Sequence, residues 1–319
     1  MIEILHPGWL SLIVDEGRHG YADSGVPSSS ALDSFAYKML NILLKNPSGT
    51  PAIEAMGHGF SLRIDTDVTC AITGARVETA LNGEPLEPWT SFYAQKGSIL
   101  KVKTILEGFR YYVGFSGRLD AEWVINSFST NLECRFGGFK GRPFVKGDRA
   151  RITGPRMEKP NTIHEKNIPG MKPPHVLRFV EGPEMEYFSR ESLRRLFEKK
   201  AFSWYNVFSK SNRTGIRLEG EPLAFKEGVE KSIISEGILP GTIQIPGDGL
   251  PIIMLHERTI GGYARLGVVI RADRDLLAHL KPGDKVTLEM VEPKEAEQLW
   301  NKKAQLYDAH TKTLQEVVQ

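Results

Sequence analysis

Gly241-Thr242-Ile243-Gln244-Ile245-Pro246-Gly247-Asp248-Gly249-Leu250-Pro251-Ile252-Ile253-Met254-Leu255 reads as two short apolar runs, 242–245 and 251–255, split by glycine, proline and aspartate. Runs this short suit strands rather than helices, and Gly and Pro punctuate chain reversals. The same texture recurs at 9–14, 68–73, 99–105, 111–115, 176–180 and 286–290, with 31 Gly and 19 Pro distributed between such runs. The chain is therefore expected to be mainly β.

At 319 residues the chain is long enough for two domains, and 40% apolar with 25% charged residues is a globular composition. Lys plus Arg (41) nearly cancels Asp plus Glu (39), and a net charge of +2 argues against a dedicated nucleic-acid binder. No uncharged run approaches a membrane span, and Met1-Ile2-Glu3 does not resemble a signal peptide, so a cytoplasmic protein without membrane contact is expected. Cys70 and Cys134 form no CxxC pattern and are read as two buried free thiols.

Three helices interrupt the strands. From Ser30 to Lys45, Leu32, Phe35, Ala36, Met39, Leu40 and Leu43 fall on one face, with serines as N-cap and Asn46-Pro47 as the stop. A second helix starts at a Ser189 cap and carries Leu193, Leu196 and Phe197; a third begins after Pro293. Five prolines between Gly154 and Pro174 suggest an interdomain linker. The organisation expected is a β-rich lobe over 1–154, a linker over 155–175, a second lobe over 176–292 and a terminal helix over 293–319. Gly147-Asp148 and Gly283-Asp284 close the strand-rich part of each half, which marks either two similar barrels or a common turn.

Several chemistries lack their motif. There is no GxxxxGK[ST] loop, and Gly137-Gly138-Phe139-Lys140-Gly141 lacks GxGxxG spacing, so ATP is not expected to bind this chain autonomously. Gly114-Phe115-Ser116-Gly117 is not a nucleophile elbow, and Ser28-Ser29-Ser30 serves helix capping at least as well as nucleophilic attack. No HxxxH pair exists, His164 and His175 read as solvated linker residues, and no metal site is expected. Met171-Lys172 is followed by Pro173-Pro174 and reads as linker rather than a biotin-accepting turn.

Three blocks of clustered residues carry a resemblance. The first is Asp15-Glu16-Gly17-Arg18-His19-Gly20-Tyr21 with Gly25-Val26-Pro27-Ser28-Ser29-Ser30-Ala31-Leu32-Asp33 and Ala52-Ile53-Glu54. The second is Gly137-Gly138-Phe139-Lys140-Gly141-Arg142 with Gly147-Asp148. The third runs from Ser211-Asn212-Arg213-Thr214-Gly215-Ile216-Arg217-Leu218 through Ser235-Glu236-Gly237 and Gly241–Pro251 to Thr259-Ile260-Gly261-Gly262-Tyr263. In order and spacing they resemble the biotin-dependent carboxyltransferase family, which includes the C-type subunit of 5-oxoprolinase and the second subunit of allophanate hydrolase. The chain departs from the family at Ile260, at His256 and Arg258 where Asp and Gln are usual, at Ala264 in place of Pro, and in 116–130.

The resemblance implies two cyclophilin-like β-barrel lobes with a few flanking helices. It implies one component of an ATP-dependent 5-oxoprolinase, which opens the small cyclic amide 5-oxoproline to glutamate together with a B-type subunit homologue and an A-type subunit. ATP would bind on or with a partner, and no biotin would be attached to this chain. Two other classes stay open: the carboxyltransferase component of a urea-carboxylase-like enzyme, and a non-catalytic partner of a sensor-kinase inhibitor. Opening a lactam needs donors around a developing oxyanion, and arginine suits that and carboxylate binding. Arg18, Arg213, Glu236, Thr259 and Tyr263 are the catalytic candidates, with Arg217, Gln244, Arg258, Gly261, Gly262 and Glu54 as substrate-binding candidates. The expected site is a cleft of 211–217 and 259–263 approached by Arg18. Arg18 and Arg213 could equally brace turns; Gly261 and Gly262 could admit an anion to backbone N–H groups or form a tight turn. Glu54 is either a site carboxylate or a buried partner of an arginine.

Overall fold

A computed structural model describes residues 1–197 and 204–316, without the side chains of 309–316; the last three residues of the expected terminal helix lie outside the described residues. With 39% strand and 17% helix, the chain is mostly β, as its turn-punctuated sequence requires. Its residues sort into two compact units: Met1–Arg18, Ser29–Met171 and the end of the chain from Tyr307 in one, His19–Ser28 and Lys172–Leu306 in the other.

In the first unit the strands are β1 (Ile2–His6), β2 (Leu10–Val14), β3 (Ala52–Met56), β4 (Ser61–Ile64), β5 (Val68–Leu81), β6 (Glu84–Leu86), β7 (Ser91–Ala94), β8 (Ser98–Phe115), β9 (Arg118–Leu119), β10 (Arg149–Ala150) and β11 (Ile152–Thr153). They run β10-β1-β4-β8-β3-β2, with β5 laid antiparallel along β8 from Cys70↔Phe115 to Leu81↔Leu100, and the sheet curls into a half-barrel. Its inner face is a core of Ile2, Ile13, Ile53, Val68, Tyr111 and Val113.

Helix α1 (Ser34–Leu43) closes one side, burying Phe35, Met39, Leu40 and Leu43 as its spacing predicts. Its cap is Asp33, whose carboxylate accepts the Ala36 N–H at 2.8 Å, and not a serine. The helix starts later than Ser30 because preceding N–H groups are committed elsewhere: Ala31 donates to the Asp15 carbonyl (3.0 Å) and Leu32 to the Glu54 carboxylate (3.1 Å). Gly114 of β8 lets the helix seat, since a Cβ there would stand 2.7 Å from Leu44 and 2.9 Å from Leu40.

The proline-rich segment is not a free linker up to Met171. Thr69 donates to the Arg156 carbonyl, Ser91 to that of Asn161 and Ile163 to that of Trp89, each at 2.9 Å, while Ile163 and Met171 are buried in the core around α1. Proline content signalled irregular backbone; it carried no information on the sheet edge that this backbone straps. Two further expectations are corrected. Cys134 is exposed while Cys70 is buried. His175 is buried, its imidazole 3.4 Å from Asp284, because it opens a strand rather than sitting in solvent.

The second unit holds β12 (His175–Glu181), β13 (Tyr205–Val207), β14 (Gly215–Glu219), β15 (Ser232–Gly237), β16 (Thr242–Ile245), β17 (Ile252–Met254), β18 (Ile260–Val269) and β19 (Lys285–Met290). Seven of them follow one another as β12-β19-β13-β14-β17-β16-β18, and β18 pairs again with β12, which closes the ring; β15 is attached outside it, to β18. The opening sequence, 241–255, supplies β16, its turn and β17. Helix α2 (Arg190–Phe197) is capped as expected, Ser192 N–H donating to the Ser189 hydroxyl at 3.2 Å, and α3 (Pro293–Glu316) begins at the expected proline. Among the described residues no helix is long and apolar enough to cross a membrane.

Ring closure depends on Gly267. A Cβ there would meet the Val180 carbonyl oxygen at 2.3 Å and the Phe179 ring at 2.4 Å, so any side chain forces β12 away from β18. Gly267→Ala is expected to lower the unfolding free energy by about 1–3 kcal/mol, measured by urea titration of intrinsic fluorescence, with loss of amide protection in β12 and β18.

Candidate functional site on the extension of β18

The stretch Ile260-Gly261-Gly262-Tyr263-Ala264-Arg265 alternates in the manner of a strand, and it forms the first part of β18. Residues from Ala264 onward pair with β16, with Gln244 opposite Arg265; the residues before them pair with β15, with Glu236 opposite Gly261 and Ser232 opposite Tyr263. One strand therefore gathers Glu236, Gln244, Gly261, Gly262 and Tyr263, five of the residues singled out from sequence.

Gly261 and Gly262 lie in a strand, which removes the tight-turn reading for both. Gly261 is needed for space: a Cβ would stand 2.2 Å from Gln244 Nε2 and 2.9 Å from its Oε1. The Gln244 carboxamide lies against the bare Gly261 backbone, buried, and its Nε2 has no hydrogen-bond partner among the described residues. A buried unsatisfied donor costs about 1–3 kcal/mol, so this amide is held in place at the expense of stability.

Beside it Arg265 is fixed by two carboxylates. Glu184 accepts the Arg265 backbone N–H at 3.0 Å, Nε at 2.7 Å and Nη2 at 2.6 Å, and Glu236 accepts Nη2 at 2.7 Å. The bonds from Arg265 hold the Glu184 carboxyl below its ordinary range against the opposing effect of burial, and the same bonds raise the Arg265 guanidinium. Tyr263 stays exposed, so an open phenol adjoins a covered carboxamide, a held carboxylate and an anchored cation.

The other candidates have contacts of their own. Arg213, just before β14, is buried with its Nε donating to Glu257 at 3.1 Å. Arg217 is exposed on β14. Arg258 is exposed in the turn before β18, and the Thr259 carbonyl accepts the Ile238 N–H. Arg18 belongs to the first unit, where its Nε and Nη2 donate to the Val124 (3.1 Å) and Ser129 (2.7 Å) carbonyls and its guanidinium lies over Phe136. Glu54, also there, accepts the Tyr112 hydroxyl at 2.8 Å and the Leu32 N–H, 3.7 Å from Arg110, which makes it a buried partner of an arginine. Sequence reading missed Arg265 and Glu184. Arg265 carried a usable signal, two residues beyond Tyr263 on the same face of one strand; Glu184, 81 residues away, carried none.

The glycine block is likewise occupied by its own chain. A Cβ at Gly138 would stand 1.9 Å from Thr130 Oγ1, at Gly137 2.4 Å from the Ser129 carbonyl oxygen, and at Gly141 2.0 Å from that of Arg135. These glycines give room to neighbouring groups of their own chain.

Residues 24–290 match the family described as carboxyltransferase domain, subdomain A and B. The chain is 32% identical over 289 residues to the C-type subunit of 5-oxoprolinase from Escherichia coli, covering 90% of each chain. It is 31% identical over 306 residues to the corresponding protein of Haemophilus influenzae, covering 95% of each. Among solved structures it superposes on Kluyveromyces lactis urea amidolyase with a TM-score of 0.88 and 25% identity over 97% of this chain, which spans only 20% of that one.

Two outcomes follow from the ion pairs. Arg213→Ala leaves Glu257 buried without that partner and is expected to destabilise the protein by about 3–5 kcal/mol in urea unfolding. Because the Glu184 pKa is depressed on folding, its contribution is present above the unfolded value of about 4.3 and is lost as pH falls through the folded value. Glu184→Gln should therefore flatten the loss of stability below about pH 4 seen in thermal melts of the wild type.

Proposed function

The chain belongs to the carboxyltransferase family, subdomains A and B, and from that membership we propose that it is the C-type component of an ATP-dependent 5-oxoprolinase, working with B-type and A-type homologues on a cyclic amide. The observation that carries this reading is the reciprocal match: this chain and its E. coli relative cover each other over nine-tenths of their lengths. The urea amidolyase similarity extends over a fifth of that protein.

A lactam carbonyl is resonance-stabilised, and its opening requires orientation of the amide and donors to the developing oxyanion. The Gln244 carboxamide of β16 is covered, and a substrate amide that displaced its cover would meet one donor and one acceptor, a match that would satisfy its unbonded Nε2. Tyr263, exposed beside it, would supply a hydroxyl donor. Glu236, held by Arg265, would handle a proton. Arg265 itself is neutralised by Glu184 and Glu236, so it acts through their position. Neither the Gly137–Gly141 block, filled by groups of its own chain, nor the hollow beside Arg265, lined by Glu184, Glu230 and Glu236, fits the phosphates of ATP. Nucleotide binding is assigned to the partner, and no step here runs through it.

The fold match with urea amidolyase supports a second reading, a carboxyltransferase component. Its biotin carrier would come from elsewhere, since Met171, the methionine of the Met171-Lys172 pair, is buried and its N–H donates to Glu107 at 2.7 Å.

Coexpression with A-type and B-type homologues and an ATP-dependent assay for glutamate formation tests the proposal. The chain alone should be inactive and should copurify with the B-type homologue. Gln244→Leu should lower kcat/KM of the assembly at least tenfold, about 1.4 kcal/mol, with a melting temperature unchanged or raised. Unaided turnover, absence of any bound partner, or a fully active Gln244→Leu assembly overturns it.

A further inference from the structure

β15 ends the strand order of the second unit. It pairs with β18 on one side, and no strand pairs with its outer edge among the described residues. Every residue of it but Ile233 is exposed. Ile234 is 87% exposed, and Leu239 (60%), Ile260 (58%) and Tyr263 (42%) follow on the adjoining segments. Open edges of this kind template pairing with another chain, and proteins ordinarily guard them with lysine or proline. The sequence Ser232-Ile233-Ile234-Ser235-Glu236-Gly237 contains neither, and its one charge is turned to Arg265.

Beside this edge lies an open hollow lined by Glu184, Glu230 and Glu236 with Tyr187, Val229 and Ile233. Arg265 spans two of these carboxylates and leaves the group net negative. Lys231, next in sequence to Glu230, sends its ammonium to the Gly247 carbonyl at 3.2 Å. The hollow thus complements a cationic side chain with an apolar stem, and the edge above it complements an extended backbone.

We propose that β15 is the docking edge for an extended segment of a non-identical partner chain, which adds a strand to it, covers Ile234 and places a lysine or arginine among Glu184, Glu230 and Glu236. The inference rests on the assembly reading above and deepens it by naming the surface and the chemistry of the partner segment. A second copy of this chain fits less well: the segment it would offer, Ser232–Gly237, carries no lysine or arginine to place in the acidic hollow. The docking edge adjoins Glu236 and Tyr263, so the partner segment would also wall one side of the candidate site.

The test uses the full chain and a coexpressed B-type homologue of the 5-oxoprolinase assembly. Ile234→Lys and Glu230→Lys, both at exposed positions away from the core, should each weaken the complex at least tenfold by calorimetry while leaving the melting temperature of the free chain unchanged. Hydrogen exchange should show β15 amides protected in the complex and not in the free chain. Wild-type-like binding by both variants, with β15 amides still exchanging freely, overturns the docking edge alone. A concentration-dependent homodimer abolished by Ile234→Lys overturns it in favour of self-pairing. If the wild-type chain binds no B-type homologue, the assembly reading falls and this inference with it.

Discussion

Closing the seven-strand ring sets the terms for the rest of the second unit. β18 has to pair with both β12 and β16, and it does so with its C-terminal part, where Gly267 lets the Phe179 ring and the Val180 carbonyl come within reach. Residues Ile260–Tyr263 are left over from that closure. They run beyond the pairing with β16, and they carry β15. This surplus carries Gly261 and Tyr263 and pairs with Glu236 of β15, while Gln244 and Arg265 face each other in the last part of the ring's own ladder.

Arginine illustrates how the same chemistry is put to different uses. Arg18 is committed to carbonyl groups of its own unit and to the Phe136 ring. Arg213 is sealed with Glu257. In both places a buried guanidinium is stabilised by the acceptors and ring it meets inside its own unit. Arg265 differs in being held by one buried and one exposed carboxylate, so that its anchoring fixes Glu236 at the surface.

Gln244 inverts the usual rule for buried polar groups. Backbone and side-chain donors in this protein generally find acceptors, as the Asp15 carboxylate shows in taking the Ser127 and Ser129 hydroxyls at 2.6 and 2.8 Å. The Gln244 Nε2 does not, and Gly261 is kept free of a side chain to accommodate it. An unbonded buried donor is held here at a cost to stability, against β18, the strand that also carries β15 with its open edge.

Local pattern in the sequence determined a good deal. Short apolar runs between Gly and Pro define β16 and β17; the 3.6-residue spacing of Phe35, Met39, Leu40 and Leu43 defines α1; Ser189 and Pro293 mark where α2 and α3 begin. The clustered blocks were sufficient for the family. These features are legible because the interactions behind them span a few residues, so spacing along the chain reports them. Tertiary structure alone decided that Asp33, not a serine, caps α1, that 155–171 straps the first unit, and that Glu54 is a partner of Arg110. It also decided which candidates share a face: Glu236, Gln244 and Tyr263 do, Arg18 and Glu54 belong to the other unit, and Glu184 joins from 81 residues before Arg265. The reason is physical. A strand's register and the sealing of a charge depend on neighbours distant in sequence, and composition and periodicity contain no record of which strands meet.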